Sequence, residues 1–139
     1  MRLGTAGWIV FSVGLCGVAQ AEPLASDNHE LGRTLHSQAR DEAANPGMLW
    51  VNDGQLLWNE VAGEARKSCA NCHADAATSM RGVATRYPAV DATRGELLNL
   101  EGRINACRGD YQQAPPLAYE SDELLGLTAF VARQSHGQA

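Results

Sequence analysis

The pentapeptide CANCH at residues 69–73 constrains this chain more than any other feature of its sequence. Two cysteines separated by two residues and followed at once by a histidine form the attachment pattern of a c-type haem. On a helical turn, the thiols of Cys69 and Cys72 can reach the two vinyl groups of one haem. His73 then meets the iron from the proximal side. We therefore predict covalent haem attachment at the two cysteines and an iron ligand at His73.

Two other kinds of site use a CxxC pair, namely zinc sites and redox-active disulfides. The sequence contains no second CxxC pair and no HxxxH pattern that would complete a zinc site. The histidine directly after Cys72 also favours haem over either alternative.

The first 21 residues have the form of a secretory signal peptide. One basic residue, Arg2, precedes an apolar run from Trp8 to Val18, and the segment ends on AQA at residues 19–21. The apolar run is too short to span a bilayer comfortably. Because c-type haem is attached after export, we predict a cleaved signal, a periplasmic location and no membrane insertion.

The charge balance excludes one class of partner. Without the predicted signal, the 118 remaining residues carry 10 basic and 16 acidic side chains, a formal charge of −6, and Lys67 is their only lysine. This is not the composition of a nucleic-acid-binding protein. The length suits one domain.

The chain divides into a polar leader at residues 22–45 and a haem domain at residues 46–139. The leader either lies along a partner or stays mobile. A turn signal, NPG at residues 45–47, begins the domain. Asp53 is predicted to cap a helix from Gly54 to about Val61. The predicted buried side of this helix is Leu56, Leu57, Trp58 and Val61.

The second half of the domain is predicted as a loop and two helices. Residues 81–88 form the loop, because Pro88 disfavours helix at the residue before it. After a proline pair, Ser121 caps the last helix, and Gly137 lies just past its end. Its predicted apolar face is Leu124, Leu125, Leu127, Thr128, Val131 and Ala132. The predicted fold is all-α, a single cytochrome c-like domain packed around one covalently bound haem.

Of the four cysteines, Cys16 leaves with the signal and two hold the haem, so Cys107 remains alone in an oxidising compartment. It shares a helical spacing of three and four with Leu97, Leu100 and Ile104. The residues alone leave three readings open for Cys107: a buried inert thiol, a partner for another chain, or the second axial ligand.

The other candidates for the sixth ligand are weaker. Met80 lies only seven residues beyond His73, which makes a return to the opposite haem face awkward. The remaining candidates are Met48, His29, His36 and His136. The methionine is expected to pack, and the three histidines are expected to be solvated.

Arginines surround the predicted site. Arg103 and Arg108 lie near Cys107 and would favour its thiolate by lowering its pKa. Arg86 lies in the loop that would wrap the haem edge. Arg86 and Arg103 are therefore candidates for propionate or thiolate contacts, whereas Arg81 is expected to be surface charge.

Three segments resemble one family. GVATRYP at residues 82–88, LEGRINACR at residues 100–108 and YESDELLGLTAFVA at residues 119–132 are similar to SoxA. SoxA is the larger cytochrome c subunit of the periplasmic sulfur-oxidising SoxAX complex. The resemblance runs from about Ala44 to the end and fits the N-terminal haem domain of the dihaem form. It implies that Cys107 is the distal iron ligand.

The resemblance also implies an enzyme complex, L-cysteine S-thiosulfotransferase, with the monohaem subunit SoxX and the carrier SoxYZ as partners. Thiosulfate would be an indirect substrate. Full-length members continue into a second haem domain, where the sulfur chemistry is placed, and this sequence stops before it. We therefore expect no catalytic residue here. Two functions stay open: a haem domain of a SoxA-like subunit, or a free-standing monohaem electron carrier.

Overall fold

A computed structural model describes the backbone of residues 25–138 and side-chain burial from residue 29 to 138, so the predicted signal peptide lies outside the described residues. Helices and strands within this range are α1 Ala25–Arg40, α2 Gly47–Asn59, α3 Cys69–His73, α4 Ala76–Ser79, β1 Ala89–Asp91, β2 Glu96–Leu98, α5 Leu100–Cys107 and α6 Asp122–Arg133. The all-α prediction is confirmed, with one short antiparallel hairpin added. None of the helices in this range is long and apolar enough to cross a membrane.

Part of the predicted polar leader is helical. Helix α1 occupies residues 25–40, and its leucines Leu31 and Leu35 are 57% and 54% exposed. An ion pair between Arg133 and Glu42 ties the segment after α1 to the last helix. Most side chains of α1 from residue 29 onward are exposed, so this helix adds little to the core.

Helix α2 begins seven residues earlier than the sequence predicts. The side chain of Asn45 accepts a hydrogen bond from the backbone N–H of Gly47 at 2.9 Å, and Pro46 directly precedes the helix. The NPG signal therefore starts a helix rather than a separate turn, because a proline suits the first helical turn, where its missing N–H costs nothing. Asp53 lies inside α2, so its predicted role as N-cap is wrong.

The buried side of α2 also differs in part from the prediction. Trp58 is buried and Leu57 is half-buried, as predicted, but Leu56 and Val61 are 73% and 51% exposed. Gly54 and Trp58 face the core, and Leu56, two residues from each, lies on the opposite side of the helix, whereas Val61 lies beyond its end.

Helices α2 and α6 pack against each other through a pair of glycines. A Cβ placed on Gly54 would lie 2.0 Å from the carbonyl oxygen of Gly126, so the two backbones touch. The ring of Trp58 packs on Phe130 with a centroid separation of 5.7 Å. The buried core around this crossing is Trp58, Ala76, Met80, Leu127, Phe130 and Val131.

The last helix begins as predicted. The hydroxyl of Ser121 accepts a hydrogen bond from the backbone N–H of Leu124, which is the N-cap arrangement. Beyond α6, the buried hydroxyl of Ser135 accepts from the backbone N–H of Ala84 at 3.0 Å. This bond fixes the end of the domain to the loop at residues 81–88, which contains one 3₁₀ turn.

The β-hairpin corrects one more prediction. Leu97 pairs with Val90 across the two strands and is 68% exposed, so it does not share the helical face of Cys107. Helix α5 begins only at Leu100, because the side chain of Asn99 caps it by accepting from the backbone N–H of Gly102 at 2.8 Å. The helical face that carries Cys107 therefore starts at Leu100.

Candidate haem c site

The CANCH motif forms the short helix α3, and its start is fixed by a reciprocal cap. The hydroxyl of Ser68 accepts from the backbone N–H of Asn71 at 3.1 Å, and the Asn71 side chain accepts from the Ser68 N–H at 2.8 Å. Such a capping box satisfies two N–H groups that a helix start would otherwise leave unpaired. Asn71, one of the two residues between the cysteines, thus holds the turn that presents both thiols.

The ring of Trp58 packs beside the imidazole of His73. The two rings lie 5.8 Å apart between centroids, at 34° to each other. The indole N–H of Trp58 donates to the carbonyl oxygen of Ala74 at 3.2 Å. Ala74 has a φ of +56°, a backbone region that non-glycine residues seldom adopt. The core tryptophan therefore fixes both the imidazole and the turn that follows it.

A cavity of about 570 Å³ opens in front of α3. This lies within the range of sites that enclose small molecules and cofactors, roughly 300–1,000 Å³. Its apolar lining includes Trp58, Met80, Val83, Leu100, Ile104, Leu127 and Val131. Its thiol and imidazole groups are Cys69, Cys72, His73 and Cys107. Helices α3 and α5 thus bring all four predicted haem residues to one cavity.

Cys107 lies at the end of α5, and Leu100 and Ile104 line the cavity with it, as their spacing predicts. Burial raises the pKa of the Cys107 thiol, and the positive charge of Arg103 opposes that rise. Among residues 29–138, no three His, Cys, Asp or Glu side chains lie together so that they could hold a metal ion. The two cysteines of α3, His73 and Cys107 line one cavity whose volume suits a large bound group.

The charged lining of the cavity is entirely basic. Arg86, Arg103 and Arg108 contribute to it, and none of the acidic side chains of the described residues does. The Nε atom of Arg108 is buried and has no hydrogen-bond partner among these residues. In a chain with more acidic than basic residues, this distribution fits a bound group that carries carboxylates, as haem does with its two propionates.

The two arginines near Cys107 have their main effects on different thiols. Arg103 favours the thiolate of Cys107, as predicted. Burial raises the pKa of the Cys69 thiol, and the positive charge of Arg108 opposes that rise. Arg108 and Cys107 both line the cavity, and the predicted influence of Arg108 on the Cys107 thiol stays a prediction. The side chain of Arg108 extends toward Gln112 and Cys69, with Arg108 Nη1 3.5 Å from Gln112 Oε1.

The other candidate ligands are placed as follows. Met80 is 9% exposed and belongs to the core cluster around Trp58, although it also lines the cavity. The side chains of His29, His36 and His136 are exposed, as expected, and Met48 is half-buried. Arg81 is exposed and lies outside the cavity lining.

Sequence reasoning missed Gln112 and undervalued Trp58. Gln112 is buried, and its Nε2 lies 3.8 Å from the sulfur of Cys69. It follows α5 in a short π-helical segment, Arg108–Gln112, whose existence no periodicity signalled. Trp58 lies only eleven residues before the CANCH motif, which could have pointed to a role at the site. Its contact with His73, however, depends on how α2 crosses α3.

The helical fold, the CANCH turn and the cavity in front of it define a cytochrome c domain, a class that implies bound haem c. The chain belongs to the SoxA/TsdA cytochrome c domain family, whose model matches residues 53–139.

Named relatives agree with this assignment. The chain is 44% identical over 97 residues to the L-cysteine S-thiosulfotransferase subunit SoxA of Pseudaminobacter salicylatoxidans, covering 70% of this chain and 34% of the relative. It is 33% identical over 100 residues to SoxA of Paracoccus pantotrophus, covering 72% and 34%. A crystal structure of SoxXA from P. pantotrophus superposes with a TM-score of 0.71 at 31% identity, covering 77% of this chain and 40% of that one. The chain thus spans about a third of the length of these curated relatives.

Proposed function

We propose that these residues are the haem domain of a SoxA-like subunit, with one haem c bound covalently through Cys69 and Cys72. His73 and Cys107 are its axial iron ligands. The observation that carries the proposal is the convergence of these four side chains, from α3 and α5, on one cavity with a basic and otherwise largely apolar lining.

Each part of the chain has a definite task in this arrangement. The capping box at Ser68 presents the two thiols, and Trp58 orients the imidazole of His73. The cavity arginines neutralise carboxylates, and Arg86 and Arg103 are the candidates for propionate contacts. When bound, haem c supplies a one-electron redox centre.

A thiolate at Cys107 determines which role such a centre plays. Its negative charge favours ferric iron and lowers the reduction potential, the opposite of a methionine ligand. If His73 and Cys107 both hold the iron, the protein would supply both of its ligands outside the haem ring, and no position would remain for thiosulfate. The domain therefore serves as a structural or electron-transfer haem rather than as the place of sulfur chemistry.

The proposed setting is a periplasmic thiosulfate-oxidising complex, L-cysteine S-thiosulfotransferase. Two observations support this: the relatives named above are subunits of that enzyme, and the structural neighbour is a SoxXA complex. SoxX is then the direct partner, SoxYZ the sulfur carrier and thiosulfate the substrate of the whole complex. A free-standing monohaem electron carrier is not favoured, because the named relatives are enzyme subunits.

The assignment of Cys107 is tested by its substitution in the haem-loaded protein. Cys107→Ala should remove the thiolate signature from the ferric absorption and electron paramagnetic resonance spectra while the haem stays covalently attached. Met80→Leu is the matched test of the other sulfur in the cavity, and it should keep the thiolate signature. A Cys107→Ala spectrum identical to that of the unaltered protein would contradict the ligand assignment.

The haem content is tested by the intact mass of the denatured protein. Covalent attachment predicts the polypeptide mass plus one haem, and replacement of Cys69 and Cys72 by alanine should remove that increment. A haem that separates from the unaltered chain on denaturation would overturn the proposed thioether bonds.

A further inference from the structure

Asp91, at the end of the hairpin strand β1, closes the turn that follows the strand and also binds Arg103. Its carboxylate accepts from the backbone N–H groups of Thr93 and Arg94 at 2.9 and 3.0 Å. It also accepts from Nη1 of Arg103 at 2.7 Å, and its side chain is only 6% exposed. These bonds hold the pKa of Asp91 below its usual range, chiefly through the Arg94 N–H, so the carboxylate is charged at neutral pH.

Arg103 links this carboxylate to the haem cavity. It lies one helical turn before Cys107 on α5, so both side chains project from the same face of the helix. Both line the cavity, and Arg103 contributes the largest charge effect on the Cys107 thiol. Asp91 belongs to β1 and does not line the cavity, but its bond to Arg103 places a positive charge beside Cys107.

The hairpin contacts α5 through the half-buried Leu98, which lies against Gly102, and through charged side chains. Its central cross-strand pair, Val90 and Leu97, is 68% exposed on both sides, so apolar burial contributes little to its docking. A second ion pair ties the hairpin turn to the segment after α5, because Arg94 Nη2 contacts both carboxylate oxygens of Asp110 at 2.6 and 2.7 Å. Charge pairs from the hairpin thus bracket Cys107 on both sides along the chain.

We propose that Asp91 is a positioning residue for the Cys107 ligand, which holds the Arg103 guanidinium beside the sulfur and so sets the reduction potential of the haem. The inference rests on the thiolate ligation proposed above. A positive charge near the iron favours the ferrous state, which carries one positive charge fewer, and a negative charge favours the ferric state. Arg103 therefore raises the potential, and Asp91 supports that effect by holding the guanidinium in place, as outer-shell partners of a metal ligand commonly do.

The test is the midpoint reduction potential of the haem-loaded protein, measured by spectroelectrochemical titration. Arg103→Gln should lower the potential, and Asp91→Asn should lower it too, because the guanidinium is then no longer held beside the sulfur. Arg103→Lys should stay close to the unaltered protein, because it keeps the charge and one donor for Asp91. The double variant should show non-additive shifts, since the two residues act through one contact. Asp53→Asn is the charge control, because Asp53 is exposed on α2 and should leave the potential unchanged.

The results separate this inference from the ligand assignment. The ferric spectrum of the unaltered protein is recorded first, and a missing thiolate signature would overturn both. A thiolate signature combined with an unchanged potential in either variant, or with a raised potential in Asp91→Asn, would overturn the positioning role alone. Far-UV circular dichroism confirms that each variant is folded, and Arg103→Lys keeps the test decisive if Arg103→Gln fails to fold.

Discussion

The contact between Gly54 and Gly126 makes the helix crossing unusually sensitive to one methyl group. A Cβ on Gly54 would lie 2.0 Å from the carbonyl oxygen of Gly126, 2.5 Å from its carbonyl carbon and 2.7 Å from Cβ of Phe130. Backbone atoms account for the two shortest distances, so no change of rotamer relieves them. To reach an ordinary separation of about 3.5 Å, helices α2 and α6 must move apart by roughly 1.5 Å.

The expected cost of Gly54→Ala follows from that displacement. Overpacking a well-packed site costs typically ~1–3 kcal/mol, and alanine recovers up to ~1 kcal/mol through its higher helix propensity. Because the clash is with backbone and separates the main core helices, we expect a net loss of about 2–3 kcal/mol at the high end of the overpacking range. For a domain of this size, this corresponds to a fall in melting temperature of roughly 10–20 °C.

Thermal unfolding of the haem-loaded protein, followed by far-UV circular dichroism, measures this fall. Gly109→Ala is the control, because a Cβ there meets nothing within 4 Å and the residue is exposed. Gly126→Ala should fall between the two, because its nearest contact is 3.3 Å, to the backbone nitrogen of Gly54. If Gly54→Ala melts within two or three degrees of Gly109→Ala, the close helix crossing is wrong.

The haem-loaded chain on its own should not conjugate thiosulfate to a thiol, because its proposed axial positions are filled; turnover in a thiosulfate-consumption assay would contradict this. Trp58→Phe should lower the free energy of unfolding by about 1–3 kcal/mol in a guanidinium titration, because the Ala74 carbonyl loses a part-buried donor. An unaltered midpoint would show that this bond is not needed. Asp91→Asn should be less stable than the unaltered protein at pH 7, and the difference should shrink as the pH falls from about 5 to 3. The sign follows from the lowered pKa of Asp91, whose charge contributes stability above the unfolded value and is lost on acidification; a difference that grows toward pH 3 in thermal melts would refute it.

Predictions from the sequence were reliable where the interaction involves only a few neighbouring residues. Ser121 caps α6 as predicted, because the hydrogen bond spans only three residues. The spacing of Leu100, Ile104 and Cys107 was also informative, because all three lie on α5 and line the haem cavity. The prediction that Leu97 shares this helical face was wrong, because Asn99 caps the helix and Leu97 lies before its start.

Predictions that needed a neighbouring element were less accurate. Pro46 and Asn45 start α2, yet the sequence favoured Asp53, because either residue pattern is compatible with a helix start. The effect of Arg108 on Cys69 was not predicted, because Cys69 lies in α3, far from Arg108 along the chain.

The sequence by itself determined the class of cofactor and the all-α fold, because five consecutive residues carry the attachment chemistry and helical periodicity is local. Only the tertiary structure decided which side chains surround that motif. Trp58 reaches His73, and Asp91 reaches Arg103, through the packing of helices and a hairpin that are distant along the chain. Such contacts depend on how backbones approach one another, as at Gly54, and no spacing within a single segment encodes that approach.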